Sequence, residues 1–237
     1  NRVAERFPDK IIATLAYSWS AEPPEQIRAA DNVLIVLCHN EGCFSHGLDQ
    51  CEVNGLFFDR LKRWKDRADN ILIWDYYVNY RHYLLPTANF RRLQNDLRLY
   101  RDMGIRNMFC QNSACTGGQF EHLRQYVESG LLWDPDLDVN SLMEEWCEGM
   151  FGKEAGAPVL EYINMLEDKQ QQENIHRPAF SMNRVYEVFT PEVLEKGKEV
   201  WDKAEDATGT ASEKQNLFAA RSAEMASRLI HTEGEYR

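Results

Sequence analysis

Residues 71–77 read Ile71-Leu72-Ile73-Trp74-Asp75-Tyr76-Tyr77, an unbroken apolar run that ends in a carboxylate and two phenols. A strand covered on both faces needs such a run, because neither side of its pleat meets water. The pattern recurs at 11–17 (IIATLAY), 33–39 (VLIVLCH) and 107–111 (NMFCQ). Segments of helical period alternate with these runs: 54–67 aligns Leu56, Phe57, Leu61 and Trp64, and 90–103 aligns Leu93, Leu97 and Tyr100. Strands alternating with helices predict a parallel sheet with right-handed crossovers, either doubly wound or closed into a barrel.

The carboxyl ends of the runs favour the barrel. Tyr17-Ser18-Trp19, His39-Asn40-Glu41, Trp74-Asp75-Tyr76-Tyr77 and Gln111-Asn112 place polar and aromatic groups where barrel loops build a pocket. No Gly-x-Gly-x-x-Gly follows a strand and no Walker-type Gly-Lys-Ser/Thr occurs, so a nucleotide-binding sheet lacks its phosphate cradle. Four strand-helix units are half of the eight that closure requires. The expected fold is therefore α/β, a partial (β/α)8 TIM barrel made of the C-terminal four units over residues 1–133. Residues 1–7 (NRVAERF) read as the last turns of a helix without its first, which fits a fragment whose other half-barrel lies upstream. A complete chain would instead need self-association to cover its open edges.

Residues 134–237 are expected to form an all-helical extension. Asp134-Pro135-Asp136 makes a turn, and Asp138 or Asn140 caps a helix through Leu142, Trp146 and Met150 that stops between Gly149 and Gly152. Pro158 is expected to open a helix over 159–169, followed by a polar link at 170–174. Thr190-Pro191 starts another helix, and 212–230 reads as the last.

Composition narrows the function. The 237 residues carry 27 Lys and Arg against 38 Asp and Glu, and the net charge of −11 opposes a nucleic-acid partner. No run approaches the roughly 20 apolar residues of a membrane-spanning helix. The six cysteines show no Cys-x-x-Cys pair; Cys43 and Cys51 fit either a loop disulfide or free buried thiols. His39, His46 and His82 form no His-x-x-x-His pair and read as hydrogen-bonded loop groups, so neither a metal nor a cofactor is expected. Cys110, Ser113 and Cys115 lack a nucleophile elbow. Gly117-Gly118 is a binding-loop feature or a turn.

Two carboxylates are candidates for chemistry. Glu41 follows a strand, as an acid, a base or a hydroxyl acceptor, or as a cap on nearby amides. Asp75, at the end of an otherwise apolar strand, faces a cleft or pairs with Arg81 or another arginine. Rings beside carboxylates and amides suit a sugar, which stacks one face and hydrogen-bonds through its hydroxyls. The candidate substrate contacts are Tyr17, Trp19, His39, Tyr77, Asn79 and Gln111. Alternation puts Tyr77 with Asp75 at the pocket, and Trp74 with Tyr76 under the helices.

Several blocks together resemble a known family. They are Ile12-Ala13-Thr14-Leu15-Ala16-Tyr17, Pro23-Pro24, 28–33 (RAADNV), Glu41-Gly42-Cys43-Phe44, Trp74-Asp75-Tyr76 with Asn79, Tyr83-Leu84-Leu85-Pro86, Gly117-Gly118-Gln119-Phe120, Leu123-Arg124 and 131–135 (LLWDP). In this order they resemble the domain of unknown function 4838 over about residues 1–165. That domain looks like glycoside hydrolase family 163, which includes endo-beta-N-acetylglucosaminidases. The resemblance implies hydrolysis of N-acetylglucosamine-containing N-glycans with retention: the 2-acetamido oxygen attacks the anomeric carbon, while carboxylates orient the acetamide and protonate the leaving oxygen. It also implies a bacterial protein, secreted or periplasmic. The family reads Phe-Glu-Gln-Gly where this chain has Phe109-Cys110-Gln111-Asn112, so an expected carboxylate is missing. The alternative reading is a non-catalytic carbohydrate-binding or scaffold protein.

Overall fold

The computed structural model describes residues 2–112, 118, 120–182 and 184–235. After a short helix α1 (Arg2–Arg6) come four strands, of which the last three are each followed by a helix: β1 (Ile12–Ala16), β2 (Val33–Cys38), α2 (Gly55–Lys65), β3 (Asn70–Tyr76), α3 (Phe90–Asp102), β4 (Asn107–Gln111) and α4 (Glu121–Trp133). Strand β1 leads into β2 through a loop with a single 3-10 turn, so the first of the four expected strand-helix units lacks its helix. Helices α5 (Val139–Phe151), α6 (Lys153–Gln172), α7 (Pro191–Ala207) and α8 (Ala211–Glu235) follow. The fold is mixed α/β, as expected. All four predicted strands form, within one residue at each end.

The strands pair in parallel in the order β1-β2-β3-β4. With sequential order and right-handed crossovers, every connection returns over the same side of the sheet. Ile35, Leu37, Ile71 and Ile73 accordingly bury against Phe57, Leu61 and Trp64 of α2 and Tyr100 of α3. Partners in a parallel register share a face, so Cys38, Trp74 and Phe109 form a row on the opposite side, with Tyr76 and Gln111 above it. That face stays partly open: Leu15 is 50 % exposed and Phe109 45 %.

A second core joins the layers. Leu93 of α3, Leu123 of α4, Met143 of α5, Leu166 of α6 and Trp201 of α7 belong to one buried cluster. Asp138 caps α5 by accepting from Ser141 N at 2.7 Å, and Thr190 caps α7.

Two expectations for the extension are corrected. Helix α6 begins at Lys153 and carries Pro158 inside it, where the missing N–H costs one bond near the helix start. The stretch from Gln170 is no free link, since Gln170 is buried and donates to Ala88 O at 2.7 Å. Its Oε1 accepts from Ser45 Oγ at 3.1 Å, and Gln171 Nε2 donates to Ser45 O at 2.8 Å.

Candidate functional site at the strand ends

The two sides of β3 carry different chemistry. On the covered side the Asp75 carboxylate is fully buried, and its Oδ2 lies 2.5 Å from Arg92 Nη2. Its other oxygen accepts from Tyr76 N at 2.8 Å and lies 3.2 Å from His39 Nδ1, while Tyr77 OH donates to Oδ2 at 3.1 Å. Arg92 also reaches Asp96 at 2.9 Å and donates to Tyr76 O at 3.1 Å. The Phe44 and Tyr77 rings each stand 5.0 Å from its guanidinium. Burial pushes the Asp75 carboxyl up, but Arg92 and His39 outweigh it and hold the group below the ordinary aspartate value.

The opposite side is aromatic. Trp74 Nε1 donates to Gln111 Oε1 at 2.7 Å, and the Trp74 and Phe109 rings meet edge to face at 4.8 Å. Tyr76 contacts Tyr80 at 5.7 Å and Phe180 at 5.0 Å. Tyr80 stacks on Phe180 at 5.0 Å and donates its hydroxyl to Gln111 O at 2.7 Å. Tyr17 is partly exposed, and Trp19, in the short turn after β1, is 99 % exposed.

The structure therefore inverts the expected faces. Asp75 and Tyr77 lie against α3, whereas Trp74 and Tyr76 look onto the open side. Asp75 takes the expected arginine pairing, with Arg92 in place of Arg81.

The other candidates separate. His39 is buried and stacks on Phe57 at 4.1 Å. Asn79 is buried, donating to Ser181 O at 2.9 Å and accepting from Arg81 N at 2.9 Å, so it fixes a loop. Glu41 is exposed, 4.0 Å from Arg60. Gln111 joins Trp74 and Tyr80 on the open side. Ser113, Cys115 and Gly117 lie outside the described residues.

Two features escaped the sequence reading. Glu128 of α4 is buried near Cys110 and accepts from Asn112 Nδ2 at 2.5 Å; burial pushes its carboxyl up to about 7. Its position in a helical repeat gave no local signal. Cys43, His46, Cys51 and His176 bring four metal-binding atoms within 4.8 Å of one another. Cys43-x-x-His46-x4-Cys51 was the legible part of that cluster. A cavity of about 340 Å³ between α4, α5 and α8 has one carboxylate, Glu121, among the described residues that line it, and not the paired acids of a glycosidase.

The four-stranded parallel sheet with its helices defines a mixed α/β protein, with aromatic groups gathered at the carboxyl ends of its strands. The chain belongs to the family described as domain of unknown function (DUF4838), whose model matches residues 1–164. No curated protein and no solved structure matches the chain. None of its described helices is long and apolar enough to cross a membrane.

Proposed function

We propose that the four strands and their helices are part of a glycoside hydrolase-type barrel, and that the open sheet face binds glycans containing N-acetylglucosamine. The carrying observation is the Trp74, Tyr76, Phe109 and Gln111 group at the carboxyl ends of adjacent parallel strands. In a barrel the helices lie outside, so the side away from α2 and α3 is the lumen. Trp74 offers a ring face for the apolar side of a pyranose. Gln111 is already oriented by Trp74 and Tyr80, and offers its amide to a hydroxyl or an acetamide. Tyr17 and Trp19 extend the surface beyond β1. The N-acetylglucosamine preference rests on the family resemblance to glycoside hydrolase family 163.

The same geometry supports a second reading, carbohydrate binding without hydrolysis. Retaining hydrolysis assisted by the acetamide needs carboxylates facing the sugar. Asp75 is the sole carboxylate on the four strands, and it points away from the lumen into Arg92. Glu41 is the exposed acid at a strand end.

Titration of the protein with chitobiose and N-glycan cores, against cellobiose as control, tests the binding. Saturable binding of the acetamido sugars supports the proposal, and indifference to all of them removes it. Incubation with an N-glycan under the same conditions separates the readings: released oligosaccharide supports the hydrolase, and binding without release supports the second.

A further inference from the structure

We infer that Cys43, His46, Cys51 and His176 form a tetrahedral site for a divalent zinc-class metal, which fastens the loop after β2 to the segment that follows α6. The inference is independent of the sugar-binding proposal.

The donors have the right identity and spacing. Cys43 Sγ lies 3.1 Å from His46 Nδ1, and Cys51 Sγ lies 3.4 Å from His176 Nδ1. All four donor atoms fall within 4.8 Å of one another. With zinc–sulfur bonds of about 2.3 Å and zinc–nitrogen bonds of about 2.0–2.1 Å, a tetrahedron has sulfur–nitrogen edges of roughly 3.5 Å and sulfur–sulfur edges of roughly 3.8 Å. Rotations of the side chains that lengthen the 3.1 Å edge slightly and shorten the longest separations bring the four atoms to that tetrahedron. Two soft sulfurs and two imidazoles select zinc over magnesium or calcium, which take oxygen ligands.

The surroundings fit a closed, structural site. Cys43, His46 and Cys51 are buried. His46 Nε2 lies 3.3 Å from Gln170 O, so an N–H on that nitrogen leaves Nδ1, the one turned toward Cys43, with its lone pair. Ser45 N donates to Cys43 Sγ at 3.4 Å, as amides do around thiolates. Phe44 N donates to Arg177 O at 2.8 Å, holding the strip that carries His176 against the Cys43 loop. Loading releases the thiol protons of Cys43 and Cys51 to solvent; two thiolates then balance the dication, and the buried complex is neutral. No electron is transferred.

The position gives the site a job. The loop leaves β2 just beyond His39, and Asn54 braces it by accepting from Cys43 N at 2.8 Å. His176 comes from the segment that follows α6. A metal here would bind the α/β layer to the helical extension at one point.

The test is metal content and cobalt spectroscopy on the protein purified anaerobically without chelator. About one equivalent of zinc per chain is expected, together with a sulfur-to-cobalt charge-transfer band after exchange. Cys51→Ser and His176→Ala should lower retained zinc at least 10-fold, while Cys147→Ser, outside the cluster, leaves it unchanged. Because these variants can unfold, His176→Cys is the counter-test: it supplies a replacement thiolate and should restore stoichiometric metal. Wild-type protein that is folded, takes up no zinc or cobalt and keeps free thiols would overturn the inference. So would a Cys43–Cys51 disulfide as the resident state, seen by mass spectrometry of unreduced peptides.

Discussion

Arg92 Nη2 lies 2.5 Å from Asp75 Oδ2, and both side chains are fully buried on the helix-covered side of the sheet. That pair makes Asp75 a partner of the core. A charge there without its counterion would sit in a medium that stabilises neither ion alone.

Removing one partner should therefore cost much more than replacing the whole buried group of Asp75, Arg92 and Asp96. Asp75→Asn is expected to destabilise the fold by about 3–5 kcal/mol in urea unfolding. Asp75→Leu combined with Arg92→Met and with Asp96→Asn, which neutralises the other buried carboxylate held by Arg92, should recover most of that loss. Because the folded Asp75 value is lowered, its contribution is present above the ordinary aspartate range and is lost as acid protonates it. A full loss in the triple variant would show that the group does more than neutralise charge.

Glu128 gives a pH dependence of the opposite sign. Its folded value of about 7 exceeds the unfolded reference of 4.5, so between these limits the folded state holds more protons. The stabilisation is complete below 4.5 and disappears as pH rises through about 7, an effect of up to roughly 3 kcal/mol. Glu128→Gln should flatten that fall in thermal melts between pH 5 and pH 8 buffers; an unchanged slope would exclude Glu128 as its source.

Gly156 should resist even alanine. A Cβ there would lie 2.8 Å from the Cys147 carbonyl carbon and oxygen and 2.9 Å from Glu148 N, all backbone atoms of the crossing helix. Alanine ordinarily gains about 1 kcal/mol in a helix, but overpacking costs about 1–3 kcal/mol and backbone cannot turn aside. Gly156→Ala is expected to lower stability by about 2 kcal/mol in denaturant titration. A stabilised variant would mean that α5 and α6 separate at little cost.

On the open face, Trp74→Ala should weaken chitobiose binding at least 10-fold, the equivalent of about 1.4 kcal/mol. Trp74→Phe keeps a ring but loses the hydrogen bond to Gln111 and should fall between. Calorimetric titration of the folded variants checks this, and equal affinity in all three would place the sugar elsewhere.

The sequence alone determined the strands, because runs such as Val33 to Cys38 and Ile71 to Trp74 are too apolar and too short to be anything but buried strands between helices. It also determined which ends carry polar groups. Which face those groups take was decided only by the tertiary structure. Alternation assigns sides when apolar and polar residues differ, but Ile71-Leu72-Ile73-Trp74 is apolar on both, so the run reads equally well from either side. The helices settled it by packing on the side of Ile71, Ile73 and Asp75, and Arg92, in the first turn of α3, completed the pair. The four metal donors show the same limit: Cys43, His46 and Cys51 are neighbours in the chain, whereas His176 comes 125 residues after Cys51 and is brought to them by the return of the chain after α6. Local physics writes periodicity and chain ends into the sequence. Contacts between distant segments arise from packing that no single segment encodes.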